Sequence, residues 1–248
     1  LWQKWIGVTR RAMKAPLPLA DAPTRVVHCE DALAWLTRAP VLEGCSVFTS
    51  LPDVSELAPM GLDAWRRWFV DAAALVLARV PDDGVAVFYQ TDTKVDGRWI
   101  DKGYLVQRAA EETGHPLRWH KVVCRRPAGT PVPGRPGYAH LLCFSRGVTP
   151  DPARATPDVL PSLGAMTWSR AMGLDAARLV ARFIRTQTRS HTLVDPFCGH
   201  GTALAAANEA GLHAVGVELG AKRARRARRL DLARDVGGVE AGERAAGG

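Results

Sequence analysis

The chain has 248 residues, 47% hydrophobic and 23% charged. That is ordinary for a globular protein and enough for one large domain or two small ones. No apolar run approaches the ~20 residues of a membrane span. Leu1–Ala20 carries Lys4, Arg10, Arg11 and Lys14 without an apolar stretch between them, so it does not read as a secretory leader. The five cysteines, Cys29, Cys45, Cys124, Cys143 and Cys198, lie far apart and form no CxxC pair. This spacing points to no metal centre and no disulfide framework, but to reduced, buried thiols in a cytoplasmic protein. The formal net charge of +8 favours polyanionic partners.

In chain order, residues 1–24 form a basic extension. Thr24–Leu36 reads as a short strand, an acidic turn and a helix start. Gly44–Asp53 is an apolar strand that ends in a polar turn. Leu62–Val80 has apolar residues at helical spacing, with Trp65, Trp68 and Phe69 on one packing face. Gly84–Asp92 is a strand, and Lys102–Gly114 a helix that glycine stops. Leu117–Cys124 and Gly137–Arg146 read as an antiparallel pair of strands around a Pro/Gly/Arg-rich connection. His120 and His140 sit inside this pair as core or edge histidines. A proline-rich loop, Val148–Leu163, leads to a long helix over Thr167–Gln187. A strand at His191–Pro196, a glycine loop, a helix at Thr202–Ala210 and a strand at Ala214–Leu219 follow. The basic helix Ala221–Arg234 holds seven of the 33 basic residues, and a Gly/Ala/Glu tail from Gly237 is expected to be disordered. Alternating strands and helices predict an α/β domain over 25–236. Its sheet should be mostly parallel, with helices on both faces and one reversed edge strand.

The glycine loop carries the chemistry. Glycines after a strand let the backbone approach a ligand, and the following helix points free N–H groups at it. An acidic residue about 20 residues on, at the end of the next strand, suits ribose hydroxyls. Here that residue is Glu218. The loop has neither the Lys-Ser/Thr of a phosphate loop nor the third glycine of a dinucleotide fingerprint. Asp195 within it would repel pyrophosphate and suit a ligand carrying an ammonium.

The stretch VDPFCGHGTALAAANEAGLHAVGVEL, Val194–Leu219, resembles the S-adenosylmethionine motif of amino-methyltransferases that modify nucleobases. It is similar above all to the permuted, beta-class DNA adenine and cytosine N-methyltransferases. His200 stands where that family has a small residue. The resemblance implies a circularly permuted Rossmann-like class I methyltransferase fold and S-adenosyl-L-methionine as cofactor. It implies cofactor contacts at Asp195, Pro196, Phe197, Cys198, Gly199, Gly201, Thr202 and Glu218. Asp31 would lie on the adenine side, and Trp168 or Ser169 near the methionine moiety. In the permuted order the catalytic half precedes the cofactor half, which accounts for a glycine loop so late in the chain.

On the same resemblance, Ser50, Leu51, Pro52 and Asp53 occupy the place of the family's S-P-P-Y loop, with Leu51 for a proline and Asp53 for the aromatic. Asp53 is then the expected acceptor for the target amine, helped by Ser50 and the Leu51 carbonyl. It cannot stack on a base, so Trp99, Tyr104 or Tyr138 must do so. Taken alone, Asp53 would as readily cap a turn. Asp92 and Lys94 follow the next strand, where α/β sheets bind ligands, and are candidate substrate contacts. Arg223, Arg225, Arg226, Arg228 and Arg229 are expected to meet a polyanion, against the alternative of a solvated face.

The connections Thr91–Asp101 and Arg125–Gly137 are too short for a groove-reading insertion, which favours RNA over duplex DNA. DNA would call for recognition from a homodimer or a partner. A small-molecule methyltransferase and a degenerate nucleic-acid-binding module are the competing functions. The first requires an enclosed apolar pocket, and the second loss of the cofactor residues.

Overall fold

The computed structural model describes residues 22–57 and 60–235. Most of the basic extension and the whole 237–248 tail lie outside them. The first half of the chain supplies β1 (Arg25–His28), α1 (Ala32–Arg38), β2 (Cys45–Thr49), α2 (Leu62–Leu77) and β3 (Ala86–Gln90). A hairpin, β4 (Thr93–Val95) and β5 (Arg98–Ile100), precedes α3 (Lys102–Glu112), β6 (Leu117–Cys124), β7 (Tyr138–Phe144) and β8 (Val159–Leu160). The last third holds α4 (Leu174–Gln187), β9 (Thr192–Asp195), α5 (Thr202–Glu209), β10 (His213–Val217), α6 (Ala221–Arg229) and α7 (Leu232–Asp235).

Eight strands make one sheet in the order β1-β10-β9-β2-β3-β7-β6-β8. Every neighbouring pair is parallel except β7 with β3 and β7 with β6. The strands on either side of β2, β3 and β9, are buried at every position, as strands covered on both faces must be. One face packs Val180 and Ile184 of α4, Leu204 of α5 and Ala224 of α6 against Val87 and Leu193. The other packs Trp65 and Phe69 of α2 and Leu105 of α3 against Phe88 and Leu142. Helices on both faces of a mostly parallel sheet are as expected from the alternating pattern. The reversed strand differs in place. It is β7, wedged between β3 and β6, and not an edge strand. The edge is β8, a two-residue strand inside a segment expected to be only a proline-rich loop.

Three other boundaries differ from the sequence reading. The helix expected over Thr167–Gln187 begins at Leu174. Its first N–H groups are held by the preceding loop instead of a capping side chain: Leu174 N donates to the Ala165 carbonyl at 2.9 Å and Asp175 N to the Leu163 carbonyl at 3.0 Å. The long basic helix breaks at buried Leu230, whose carbonyl accepts from Arg25 Nη1 at 2.7 Å. The connection Thr91–Asp101 folds as the β4–β5 hairpin around Asp96 and Gly97, both at positive φ (50° and 74°). An Asp-Gly pair between short strands is the signal for such a turn. All five cysteines are free. Cys143 and Cys198 are buried, whereas Cys29, expected inside, is exposed.

Trp65 is fully buried against Phe69 and donates its indole N–H to the Pro52 carbonyl at 3.3 Å. It thereby fastens the loop after β2 to the α2 face. Trp65→Ala is expected to cost about 3–5 kcal/mol in urea unfolding, the range for a large aromatic lost from a core. Trp65→Phe should cost clearly less while still releasing the loop carbonyl.

Candidate active site

The C-terminal ends of β1, β10, β9 and β2 open on one cavity of about 380 Å³, within the range of small-molecule sites. Four segments build it. β9 delivers Asp195, Pro196, Phe197, Cys198 and Gly199, and α5 begins with Thr202. β10 delivers Glu218, and the turn after β1 delivers Asp31, whose side chain also caps α1 by accepting from Ala34 N at 2.8 Å. The loop after β2 delivers Ser50, Leu51 and Pro52. Trp68, Trp168 and Met172 close the apolar sides. Trp68, expected to be core packing, is thus part of the wall, edge-on to Phe197 at 6.3 Å.

The glycine loop works by close approach. Gly199 and Gly201 both have positive φ (53° and 87°). A Cβ on Gly201 would stand 2.9 Å from the Ala227 Cα, so α6 rests directly on the loop. A Cβ on Gly199 would stand 3.3 Å from the Trp168 ring. Trp168 stacks on His200 at 4.4 Å, which gives the bulky residue at that position a packing role. Gly201 itself lies outside the cavity wall and shapes the turn behind it.

Asp195 is the most buried charge in the site, 1% exposed. Thr49 Oγ1 donates to its Oδ1 at 2.6 Å, and Phe197 N donates to the same oxygen at 3.1 Å. Burial pushes its pKa up to about 7, against the pull of those two bonds, and the neighbouring Glu218 pushes the same way. A cation against Asp195 would reverse that shift. Glu218 accepts from Gly220 N at 2.6 Å and Arg223 Nε at 2.7 Å, both on Oε1. Oε2 is left for a ligand's hydroxyls. These acceptors therefore fit an amino-acid ammonium at Asp195 and ribose hydroxyls at Glu218, with room for a ring beyond the ribose toward Asp31 and Leu33.

The expected basic surface divides. Arg223 lines the cavity on Glu218 while its side chain stays 46% exposed. Arg228 donates Nε to the Val27 carbonyl at 3.1 Å, tying α6 to β1. All five of these arginines are exposed, Arg225, Arg226 and Arg229 among them.

Asp53 is not in the cavity wall. It caps the short turn Val54–Glu56, accepting from Ser55 N at 3.2 Å, while Glu56 accepts from its own N–H. Its Oδ2 accepts from Lys102 Nζ at 2.8 Å. Burial raises its pKa, but Lys102 and the turn N–H groups outweigh this, and the net shift is downward. A carboxylate held low and already paired is a poor proton acceptor, which corrects the expectation of a free acceptor there. The capping alternative is what the local geometry shows.

Asp92 is likewise not presented to a substrate. Its side chain is 1% exposed. It accepts from Lys102 N at 2.9 Å, Trp99 Nε1 at 3.1 Å and the Tyr138 hydroxyl at 3.4 Å, and lies 3.2 Å from His140 Nε2. His140 Nδ1 in turn meets His120 Nε2 at 3.0 Å. Donor atoms of Asp92, Asp101 and His140 lie within 4.8 Å of one another, but Asp92 already spends its oxygens on these bonds. Lys94 sits 4.9 Å over the Trp99 ring. Lys102, His140 and the Arg170–Glu56 ion pair at 3.4 Å beside the cavity were not found from the sequence. A lysine opening an ordinary amphipathic helix gives no signal of its partner 49 residues away.

Comparison with solved structures gives strong likenesses. TTHA0409 of Thermus thermophilus, a candidate DNA modification methylase in complex with S-adenosyl-L-methionine, has TM-score 0.66 and 20% identity, covering 87% of this chain and 96% of that one. The PvuII DNA methyltransferase, cytosine-N4-specific, has TM-score 0.65 and 19% identity over 86% of this chain and 91% of that one. An M1.HpyAVI–SAM complex has TM-score 0.58 and 13% identity over 83% and 98%. The fold is that of the Rossmann-like methyltransferases. No protein-family model and no curated protein matches the chain. Among the described residues, no helix is long and apolar enough to cross a membrane.

Asp195 makes a pH prediction. Its pKa is raised from 3.8 to about 7, so its contribution to stability is complete below pH 4 and is lost as pH rises to about 7. Asp195→Asn, which mimics the protonated form, should remove that decline. Urea midpoints measured from pH 4 to 8 would show it as a flatter profile than wild type.

Proposed function

We propose that the chain is an S-adenosylmethionine-dependent methyltransferase acting on an exocyclic amine of a nucleic-acid base. The observation that carries this is the pairing, in one cavity, of buried Asp195 with Glu218 at the ends of adjacent strands. Asp195 holds the ammonium of the cofactor, Glu218 Oε2 its ribose hydroxyls, and Asp31 with Leu33 borders the adenine. When bound, the cofactor supplies an electrophilic methyl group on sulfur. β2 pairs directly with β9, so the Ser50–Pro52 loop stands beside the glycine loop although 145 residues separate Ser50 from Asp195. This adjacency supports the permuted motif order. An alternative as a degenerate binding module is disfavoured by the intact Asp195, Gly199 and Glu218.

The reacting amine must point its lone pair at the methyl carbon, and placement supplies most of the rate. The Ser50 hydroxyl and the Leu51 carbonyl are the acceptors that fix its N–H bonds. The Pro52 carbonyl is spent on Trp65. Asp53, clamped by Lys102, holds the loop in position and does not take the proton itself.

DNA is the better-supported strand. The neighbours named for an activity are DNA enzymes, and the chain spans 96% of one and 91% of another. A compact body without a large insertion therefore does not set it apart from them, which removes the reason for preferring RNA.

Calorimetry should detect S-adenosylmethionine binding, and Glu218→Ala should weaken it by about 1.5–3 kcal/mol, the worth of a charged hydrogen bond. With labelled cofactor and DNA or RNA of mixed sequence, Ser50→Ala should lower turnover by about a hundredfold at unchanged cofactor affinity. Asp53→Asn should lower it far less. No cofactor binding by the intact chain would end this reading.

A further inference from the structure

The β4–β5 hairpin follows β3, which runs parallel to β2 and so ends at the same sheet edge as the cavity, and it carries Trp99. Among the described tryptophans Trp99 alone is exposed, at 44%. A tryptophan used for packing hides its ring, as Trp65 does. This ring is instead anchored by its edge and partly open to solvent, with Lys94 Nζ 4.9 Å over one face. Its indole N–H donates to Asp92 at 3.1 Å, and Asp92 is itself locked by Lys102 N and His140. An exposed aromatic whose orientation is set by a buried carboxylate is preorganised for a flat ligand.

The surroundings say which ligand. Lys94 lies 4.9 Å over the ring, Arg98 is exposed beside it, and Arg125 is held at the same sheet edge by donating to Thr91 Oγ1 at 3.0 Å. Cations flanking an exposed aromatic face fit a base with its phosphates. The platform is also mechanically joined to the reactive loop. Trp99 holds Asp92, Asp92 holds Lys102 N, and Lys102 Nζ holds Asp53, the residue after Pro52 in the cavity wall.

We propose that Trp99 is the stacking platform for an unpaired base of a DNA strand, the aromatic contact that Asp53 cannot make. The proposal rests on the methyltransferase reading and names its substrate-side partner. Trp99 orients the base by its π-face. Lys94 and Arg98 meet the adjoining phosphates. Because stacking does not read base edges, the contact is tolerant of sequence.

The test measures binding of a fluorescein-labelled single-stranded DNA, the same strand with abasic sites, and its RNA counterpart. Wild type, Trp99→Ala and Trp99→Phe are compared at several salt concentrations. Thermal melting confirms that both variants are folded. The expected result is a loss of about tenfold or more for Trp99→Ala on the intact strand, with little loss for Trp99→Phe. The abasic strand should not distinguish Trp99→Ala from wild type, and the salt slope should stay the same. Equal binding by Trp99→Ala and wild type overturns the proposal. So does an equal loss on the abasic strand, no strand binding by wild type, or Trp99 dependence confined to RNA. Calorimetry with S-adenosylmethionine on the same samples separates the two ideas. Wild type that binds cofactor while Trp99 proves idle refutes only the platform. Wild type that binds no cofactor refutes the methyltransferase reading.

Discussion

A hydrogen bond inside the sheet holds the site together. Thr49, the last residue of β2, donates to Asp195, the last residue of β9, at 2.6 Å. The strand that leads into the reactive loop is thereby joined to the strand that leads into the glycine loop, at the level where both open on the cavity. Both residues are buried, so neither can trade the bond for water without cost. The carboxylate is kept in a place that disfavours its charge, with its pKa raised to about 7. The ammonium of the proposed cofactor is a positive group that would stabilise the charged form there.

A second chain of bonds organises the other side of the loop. Lys102 donates its backbone N–H to Asp92 and its ammonium to Asp53. One residue at the head of α3 therefore sets both the loop after β2 and the hairpin after β3. Asp92 also collects Trp99, Tyr138 and His140. A network with every member satisfied is rigid, whereas one with a missing partner carries a large penalty. This explains how a loop with Leu51 where the S-P-P-Y pattern has its first proline can still be held: Trp65 takes the Pro52 carbonyl on one side and Lys102 takes Asp53 on the other.

The basic helix shows how charge count and charge placement differ. Its arginines look equivalent along the chain. In three dimensions Arg223 serves Glu218, Arg228 ties down β1, and Arg225, Arg226 and Arg229 face outward. The helical period alone sorts them, because α6 must put Ala224 and Ala227 on the glycine loop side.

The sequence by itself determined the alternation of strands and helices, the glycine loop with its acidic strand end, and the segments that wall the cavity. Those features are local: apolar runs, a glycine where the backbone must turn left-handed, a carboxylate at a fixed distance along the chain. Asp-Gly at 96–97 was equally local and would have revealed the hairpin. Only the tertiary structure decided that β7 lies inside the sheet, that the helix before β9 starts at Leu174, and what Asp53 and Asp92 do. Each of these depends on partners far along the chain or outside the element itself. Leu163 and Ala165 carbonyls fix the start of α4, Lys102 claims Asp53, and His140 and Trp99 claim Asp92. A carboxylate's role is set by the donor that reaches it, and side-chain proximity across a sheet edge leaves no periodicity in the chain.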